Sequence, residues 1–571
     1  MNIHKSILVM VSVASLALVG CGRSQQIQQA PTSQDEVGII VSGQAGETQA
    51  VIEQSSEFRV ISEKHHIYEV KGLSLAEVQK IAPNAKAEAN RYYKEMAPRA
   101  NPQQNKIEAY RLAMDGNVPS DLPPALQGCD MQVQPTPAAD IGLSNNVLGG
   151  SKVTMELGET PIFNTGASAP HPDFPGTLEF RWDVIAPGLS SIPSEVRLGK
   201  EFSFTPDAVG SYQIVLVVKD ERNACAAQVG RFLVTANPKI EYAQVGDPMP
   251  TVDLKHFTHL KKVEAIDAWN TATGKGVVVA VLDTGLHYNH PAIKFNLAVN
   301  ESEKNGTQGQ DDDGNEFVDD ALGWDFVNSD NLPFDDEGHG SHVSGLVASH
   351  IMGAAKGAKV LPVKVMNAGG GGDVATVIAG IYYAADRGVN IINASLGAMS
   401  TSFSTMKDAI DYANSKGVLF VAAAGNGDAN GNGIDLSAPG MDVYPAEIDS
   451  VNILSVAALG ADNGLTSYSN FGEDQVDVAA PGGDAQEPIF SLATMNTKDA
   501  AFVASGGTSM ASPIVAGIAA LALEVHPQLK PVELRNLLMG VGTEVEAIAG
   551  KVGSGKIISA LQAVSPATPL Q

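Results

Sequence analysis

A chain of 571 residues is too long for one ordinary domain and suggests three or four units. A hydrophobic content of 44% with 57 glycines fits a globular protein rich in tight turns. A formal net charge of −27 argues against nucleic acid and against electrostatic docking on anionic lipid, whereas excess carboxylates suit solubility and calcium.

The first residues read as a processing signal, not as fold. Lys5 opens a short positive region, an apolar run follows from Ile7 to Val19, and Leu18-Val19-Gly20-Cys21 closes it. A run this short with a small residue before Cys is a signal peptide, residues 1–20, rather than a membrane-spanning helix. The closing phrase resembles a bacterial lipobox, which implies lipidation of Cys21 and an exported, membrane-anchored protein. Residues 21–36, rich in Ser and Gln, then form a flexible tether. No other segment reads as long and apolar enough to span a bilayer. Cys129 and Cys225 remain, and in an exported chain the pair is expected to form one disulfide; two buried free thiols are the other reading.

Residues 37–96 read as a small α+β unit. Val37–Val41, Phe58–Ile61 and His66–Val70 are strand-like, and Ser74-Leu75-Ala76-Glu77 has the spacing of a helix capping box. Residues 97–128 carry Asn-Pro and Leu-Pro-Pro punctuation and read as a linker. From 129 to 237 the texture is all-β, with strands predicted at Phe180–Val184, Phe202–Phe204 and Tyr212–Val218 between Pro/Gly turns. A second linker covers 238–259, and residues 566–571 are a tail.

Residues 260–565 alternate buried strands with helices. Strands are predicted at Gly276–Leu282, Lys359–Val365, Val389–Asn393, Val418–Ala423 and Asn452–Val456, with helices at Val374–Arg387 and Ser404–Lys416. Near-continuous apolar strands separated by helices imply an α/β unit, a parallel sheet covered on both faces. Active groups then belong at the carboxyl ends of the strands.

Three short motifs carry the chemistry. Val281-Leu282-Asp283-Thr284-Gly285, Gly338-His339-Gly340-Ser341-His342-Val343 and Gly507-Thr508-Ser509-Met510-Ala511-Ser512-Pro513 supply a carboxylate, an imidazole and a hydroxyl in that order. The order Asp, His, Ser separates subtilisin-type triads from chymotrypsin-type and α/β-hydrolase triads. The chain therefore resembles the subtilisin-like serine proteases, peptidase family S8. The resemblance implies a serine endopeptidase in which Ser509 attacks the scissile carbonyl, His339 moves the proton and Asp283 holds the imidazole. It makes Asn426, in Ala423-Ala424-Gly425-Asn426, the side-chain oxyanion donor beside the backbone N–H of Ser509. A helix predicted over Met510–Val525 sets Ser509 at its amino end, with Pro513 in the tolerant first turn. Ser395, Leu396 and Gly397, with Ala424 and Gly425, resemble one wall of a substrate cleft. Gly369–Gly372, Gly370 and Gly371 above all, resemble the other, so that an extended peptide adds as a strand.

The resemblance extends to the flanks. The 37–96 unit looks like the inhibitory pro-domain that precedes many such peptidases, and Phe204–Tyr212 resembles the late strands of Ig-like or PKD-like sandwiches. Ser341 and Ser344 replace the family's more common Thr and Ala, small changes that leave His339 intact. The long Asp–His interval holds an insert from about Asn300 to Asp335, with hard oxygen donors at Asp311, Asp313, Asn315 and Asp320 that suit calcium. Its Gly is two positions too early for an EF-hand. Gly323-Trp324-Asp325-Phe326, which follows a similar acidic loop in many bacterial relatives, matches too. Against the active peptidase stand two other readings, an inactive surface adhesion protein on this scaffold and an esterase of another fold. The intact Asp283, His339, Asn426 and Ser509 set argues against the first, and the order of the triad against the second.

Overall fold

The computed structural model describes residues 39–90 and 92–95, most of 142–250 and most of 254–565. Within 254–565 the apolar runs become neighbours in one nine-stranded sheet. Its order is Trp324–Asp325, Lys359–Lys364, Val278–Asp283, Ile391–Ala394, Leu419–Ala423, Ile453–Leu459, Val478–Pro481, Lys556–Ile557 and Thr543–Glu544. The pairings are parallel except for the last, which is antiparallel. Alternation along a strand splits the core between the two faces. Val279 and Val281 join a cluster with the helices His339–Ala348 and Thr508–Val525, while Ala280 and Leu282 join one with the helix Val374–Asp386. After Val278–Asp283 the chain fills positions on one side, then crosses to Ile391–Ala394 on the other. That reversal opens a crevice at the carboxyl ends of the strands, with Asp283 at its edge.

One expectation needs correction. The helix Thr508–Val525 is long and apolar enough to cross a membrane, although the sequence reading allowed no such segment. Every residue from Thr508 to Ala522 is buried among the sheet and its neighbouring helices, so its apolarity serves the core.

Residues 39–89 form an antiparallel sheet ordered Glu57–Ser62, Ile67–Lys71, Ile39–Ser42, Lys86–Ala89, with helices Ala45–Ile52 and Leu75–Ile81. Ser74 and Glu77 make the expected capping box, the Ser74 N–H donating to Glu77 Oε2 at 2.8 Å. The sheet lies on the helices Val374–Asp386 and Ser404–Ser415. Ile40, Ile61 and Ile67 enter the same apolar cluster as Ile378 and Tyr382. Around this contact Arg59 pairs with Asp373 at 3.2 Å, Lys64 and His65 both reach Asp386, at 2.9 and 3.1 Å, and Lys86 meets Asp408. Thr405 donates its hydroxyl to Glu88.

Residues 142–237 hold a five-stranded and a three-stranded sheet around one core. The first is ordered Arg197–Leu198, Leu178–Ile185, Gly210–Asp220, Asn223–Asn237, Lys152–Glu156; the second Glu201–Ser203, Ile162–Asn164, Gly142–Leu143. Trp182, Ile214 and Phe232 from the larger sheet meet Phe163 and Phe202 from the smaller. Cys225 falls in the strand Asn223–Asn237, but its side chain, Cys129 and Cys21 lie outside the described residues, and so do the disulfide and lipidation expectations.

Candidate active site

Asp283 ends its strand fully buried. His339 opens the helix His339–Ala348, and its Nδ1 lies 2.8 Å from Asp283 Oδ1, which also accepts the Thr284 N–H at 2.7 Å. The approach depends on two glycines. Gly285 turns the chain at φ +109°, and a Cβ on Gly340 would stand 2.2 Å from the Gly285 carbonyl oxygen. Only a bare backbone lets the histidine helix lie this close to the aspartate loop.

A residue that sequence reasoning missed joins the same two elements. Asp335 Oδ1 accepts the Thr284 hydroxyl and the Gly338 N–H, each at 2.8 Å, and Oδ2 accepts the Ser341 N–H at 2.7 Å. Thr284 Oγ1 in turn accepts the Gly340 N–H at 2.8 Å. One carboxylate thus satisfies free donors at the helix start and ties them to the residue after Asp283. Lys364, opposite Asp283 in the sheet, donates to the Thr284 carbonyl and to Asp336 Oδ1 at 2.6 Å. Burial alone would depress its pKa, but Asp336 and Asp325 outweigh it and hold the ammonium above its ordinary value.

Ser509 is the second residue of its helix and fully buried. It donates its hydroxyl to the Ser395 carbonyl at 3.1 Å, and Ser395 Oγ donates back to the Ser509 carbonyl at 3.0 Å. The helix starts at Thr508, so Pro513 sits in the second turn, not the first as expected. Lacking an N–H, it leaves the Ser509 carbonyl without its helical donor, and Ser395 takes that place. Asn426 follows the strand Leu419–Ala423, and its Oδ1 accepts both the N–H and the hydroxyl of Thr508, at 2.9 and 3.0 Å. The oxygen end of the amide is thereby committed to Thr508, which turns the donor end, Nδ2, the other way. Asn470 braces the loop by donating to the Ala424 carbonyl at 2.9 Å and accepting the Gly427 N–H at 3.0 Å.

Two edges flank this centre, and a segment of the same chain lies between them. Tyr92–Glu95 pairs antiparallel with Gly371–Asp373 on one side, where Lys94 faces Gly371, and with Leu396–Met399 on the other, where Lys94 faces Gly397 and Glu95 faces Leu396. Gly370 makes the preceding turn at φ +68°. Ala424 and Gly425 are engaged otherwise: the Ala424 N–H donates to the Val456 carbonyl and the Gly425 N–H to Thr508 Oγ1. The sequence had not marked Val443–Tyr444, which pairs with the far end of Leu396–Met399.

A model of the subtilase family matches residues 274–555. Thermitase of Thermoactinomyces vulgaris is 36% identical over 267 residues, 46% of this chain and 80% of that protein. The chain belongs to the subtilase family. Subtilisin Savinase of Lederbergia lenta is 33% identical over 306 residues, 52% of this chain and 95% of the relative. M-protease of Shouchella clausii is 32% identical over 315 residues, covering 54% and 70%. This subtilase is a serine-type endopeptidase.

The acidic insert of this subtilase brings together part of the expected metal set. Carboxylate oxygens of Glu303, Asp311 and Asp313 lie within 4.8 Å of one another, an all-oxygen donor group of the kind calcium takes. Glu303, missed in the sequence, also accepts the backbone N–H groups of Asp312, Asp313 and Asp319 and so shapes the loop. Asn315 lends its Oδ1 to the Phe317 N–H at 2.7 Å and its amide to Asp313 and Asp320. Asp320 turns instead to Arg387 at 2.7 Å and Tyr383 at 2.6 Å; burial still raises its pKa, and the half-buried guanidinium offsets that only in part.

Proposed function

We propose that Asp283, His339, Ser509 and Asn426 carry out peptide hydrolysis through an acyl-enzyme. The carrying observation is the 2.8 Å contact of His339 Nδ1 with buried Asp283, which sets the proton on Nδ1 and makes Nε2 the base. Ser509 Oγ attacks the scissile carbonyl carbon while its proton passes to His339 Nε2. Negative charge on the former carbonyl oxygen is met by Asn426 Nδ2 and the Ser509 N–H at the helix start. Collapse breaks the C–N bond, and His339 gives its proton to the departing amine. Water then repeats the sequence on the ester, releasing the acid and restoring Ser509.

The 39–95 unit acts in this reading as an intramolecular inhibitor. Tyr92–Glu95 occupies the two-edged groove as an extended peptide substrate would. Its register falls from Gly397 to Leu396 as the chain runs from Lys94 to Glu95, toward Ser395 and Ser509. We place the first self-cleavage after Glu95, at the carboxyl end of the 37–96 unit. With Cys21 lipidated, that cut severs the covalent path to the membrane, so maturation doubles as release. The two-sheet unit is read as Ig/PKD-like, supported by Tyr212, whose hydroxyl donates to the Ala208 carbonyl at 2.8 Å and accepts its N–H at 2.9 Å. Calcium at Glu303, Asp311 and Asp313 would tie down the insert, a structural task apart from the chemistry.

The test compares wild type with Ser509→Ala by fractionation and carboxyl-terminal blotting. The variant stays full-length and membrane-bound, and wild type yields a shorter soluble species. A full-length, fully active, membrane-bound wild type would contradict self-processing.

A further inference from the structure

The segment joining the two-sheet unit to the catalytic sheet, read from sequence as a linker, is held at several points between residues 237 and 247. Asn237, 3% exposed, donates its amide to the Leu332 carbonyl at 3.2 Å. Tyr288 donates its hydroxyl to the Pro238 carbonyl at 2.7 Å, and Asn289 donates to the Lys239 carbonyl at 2.7 Å while accepting the Glu241 N–H at 2.8 Å. Asp247 pairs with Lys294, and the Lys304 ammonium lies 4.6 Å from the Tyr242 ring centre. Ile240 and Tyr242, with Val209 of the two-sheet unit, pack against the main catalytic core. Thr154, in the same unit, donates its hydroxyl to Asp330.

These contacts converge on two loops. Tyr288 and Asn289 follow Asp283 in the loop that leaves its strand; Asp330 and Leu332 precede Asp335, which caps the His339 helix. The loops are also joined to each other, the Leu286 N–H donating to the Pro333 carbonyl at 2.9 Å. We infer that the two-sheet unit and residues 237–247 are a standing part of the working peptidase, docked on the loops that carry Asp283 and His339. Tyr288 and Asn289 are positioning residues. The maturation cut, which rests on the self-processing reading, then falls before the two-sheet unit and never within 237–247.

Two measurements decide it. Active wild type is tagged with a biotinylated fluorophosphonate, and the tagged species is sequenced from its amino terminus and weighed. The expected chain begins between residues 96 and 141 and retains the two-sheet unit. A tagged, fully active chain beginning after Asp247 overturns the inference. Separately, the connector of Ser509→Ala is probed with trypsin, for which Lys239, its side chain 77% exposed, offers a site. Cleavage there is expected to be slow, and at least tenfold faster with Tyr288→Phe and Asn289→Ala added. In active protein the same pair lowers kcat severalfold with KM for a short peptide anilide unchanged. Asn289→Ala alone, at a half-buried polar position, keeps both readouts interpretable if the pair folds poorly. Rapid cleavage at Lys239 without the pair, or unchanged kcat with it, overturns the docking. If wild type and Ser509→Ala are both uncut, self-processing fails, and trypsin with kcat still decides the docking.

Discussion

Ser395 and Ser509 hold each other at both ends: the hydroxyl of each donates to the carbonyl of the other, at 3.0 and 3.1 Å. The first bond exists because Pro513 has no N–H for the Ser509 carbonyl. Ser395 and Ser509, the proposed substrate-edge residue and the proposed nucleophile, are therefore set as one unit. Ser395→Ala should destabilise the protein by about 1–3 kcal/mol, the cost of leaving a buried carbonyl unsatisfied. Pro513→Ala restores a donor, so the double variant should recover much of that loss. A double-mutant cycle of urea midpoints reads the coupling directly. Strict additivity would break the link.

Asn426 has its oxygen committed to Thr508, which points to its amide nitrogen as the donor for the developing anion. Asn426→Ala should lower kcat by roughly 10²–10³ with KM little changed, the figure known for subtilisin itself and carried over to this relative. Thr508→Val keeps the backbone N–H and loses one of the two orienting bonds. A smaller loss, about tenfold in kcat, is expected. Equal losses in kcat and affinity would point to a damaged cleft instead.

Much of this site was legible because its signals are local. Asp283, His339 and Ser509 each mark an element boundary, and the predicted strand Gly276–Leu282 appears as Val278–Asp283. What escaped depends on contacts between distant segments. Nothing near Tyr92 announces that it faces Asp373, nor does Glu303 show in the sequence that it closes on Asp311. Asp335 looked like one more acid of the insert until Thr284 and Gly338 were seen to donate to it. Pro513 was misplaced by one turn, because helix boundaries are soft while the proline's own effect is fixed.

Acid should weaken the fold through two buried imidazoles. Burial, chiefly, pushes the pKa of His259 down to about 4 and that of His342 to about 3, from an ordinary value of 6.5. Above pH 6.5 neither state binds the proton. As pH falls below that, the unfolded chain takes protons that the folded one refuses, and stability drops until the folded values are reached. Glu447, raised to about 7 mainly by burial, works in the opposite sense, gaining stability as pH falls. The clean readout is thus a difference between variants. Between pH 6 and about 4 the stability of wild type relative to His259→Leu should fall by about 1.4 kcal/mol per pH unit. Parallel pH profiles for the two proteins would refute it.

The calcium proposed at Glu303, Asp311 and Asp313 should stabilise the folded state by mass action, about 2.7 kcal/mol at a hundredfold excess over Kd. Chelation should lower the melting temperature of a sample shown by metal analysis to be loaded. Glu303→Gln should abolish that response. Asp320→Asn should lower stability through Arg387 yet retain it. An unchanged melt on chelation of the loaded sample would remove the site.

The most direct measurement is mass-spectrometric mapping of a fluorophosphonate adduct on the active protein. The account predicts one adduct per chain, on the peptide that carries Ser509. Both adduct and peptidase activity should vanish in Ser509→Ala while the variant still unfolds in a cooperative transition. An adduct on another residue, or undiminished peptidase activity in Ser509→Ala, would contradict the account.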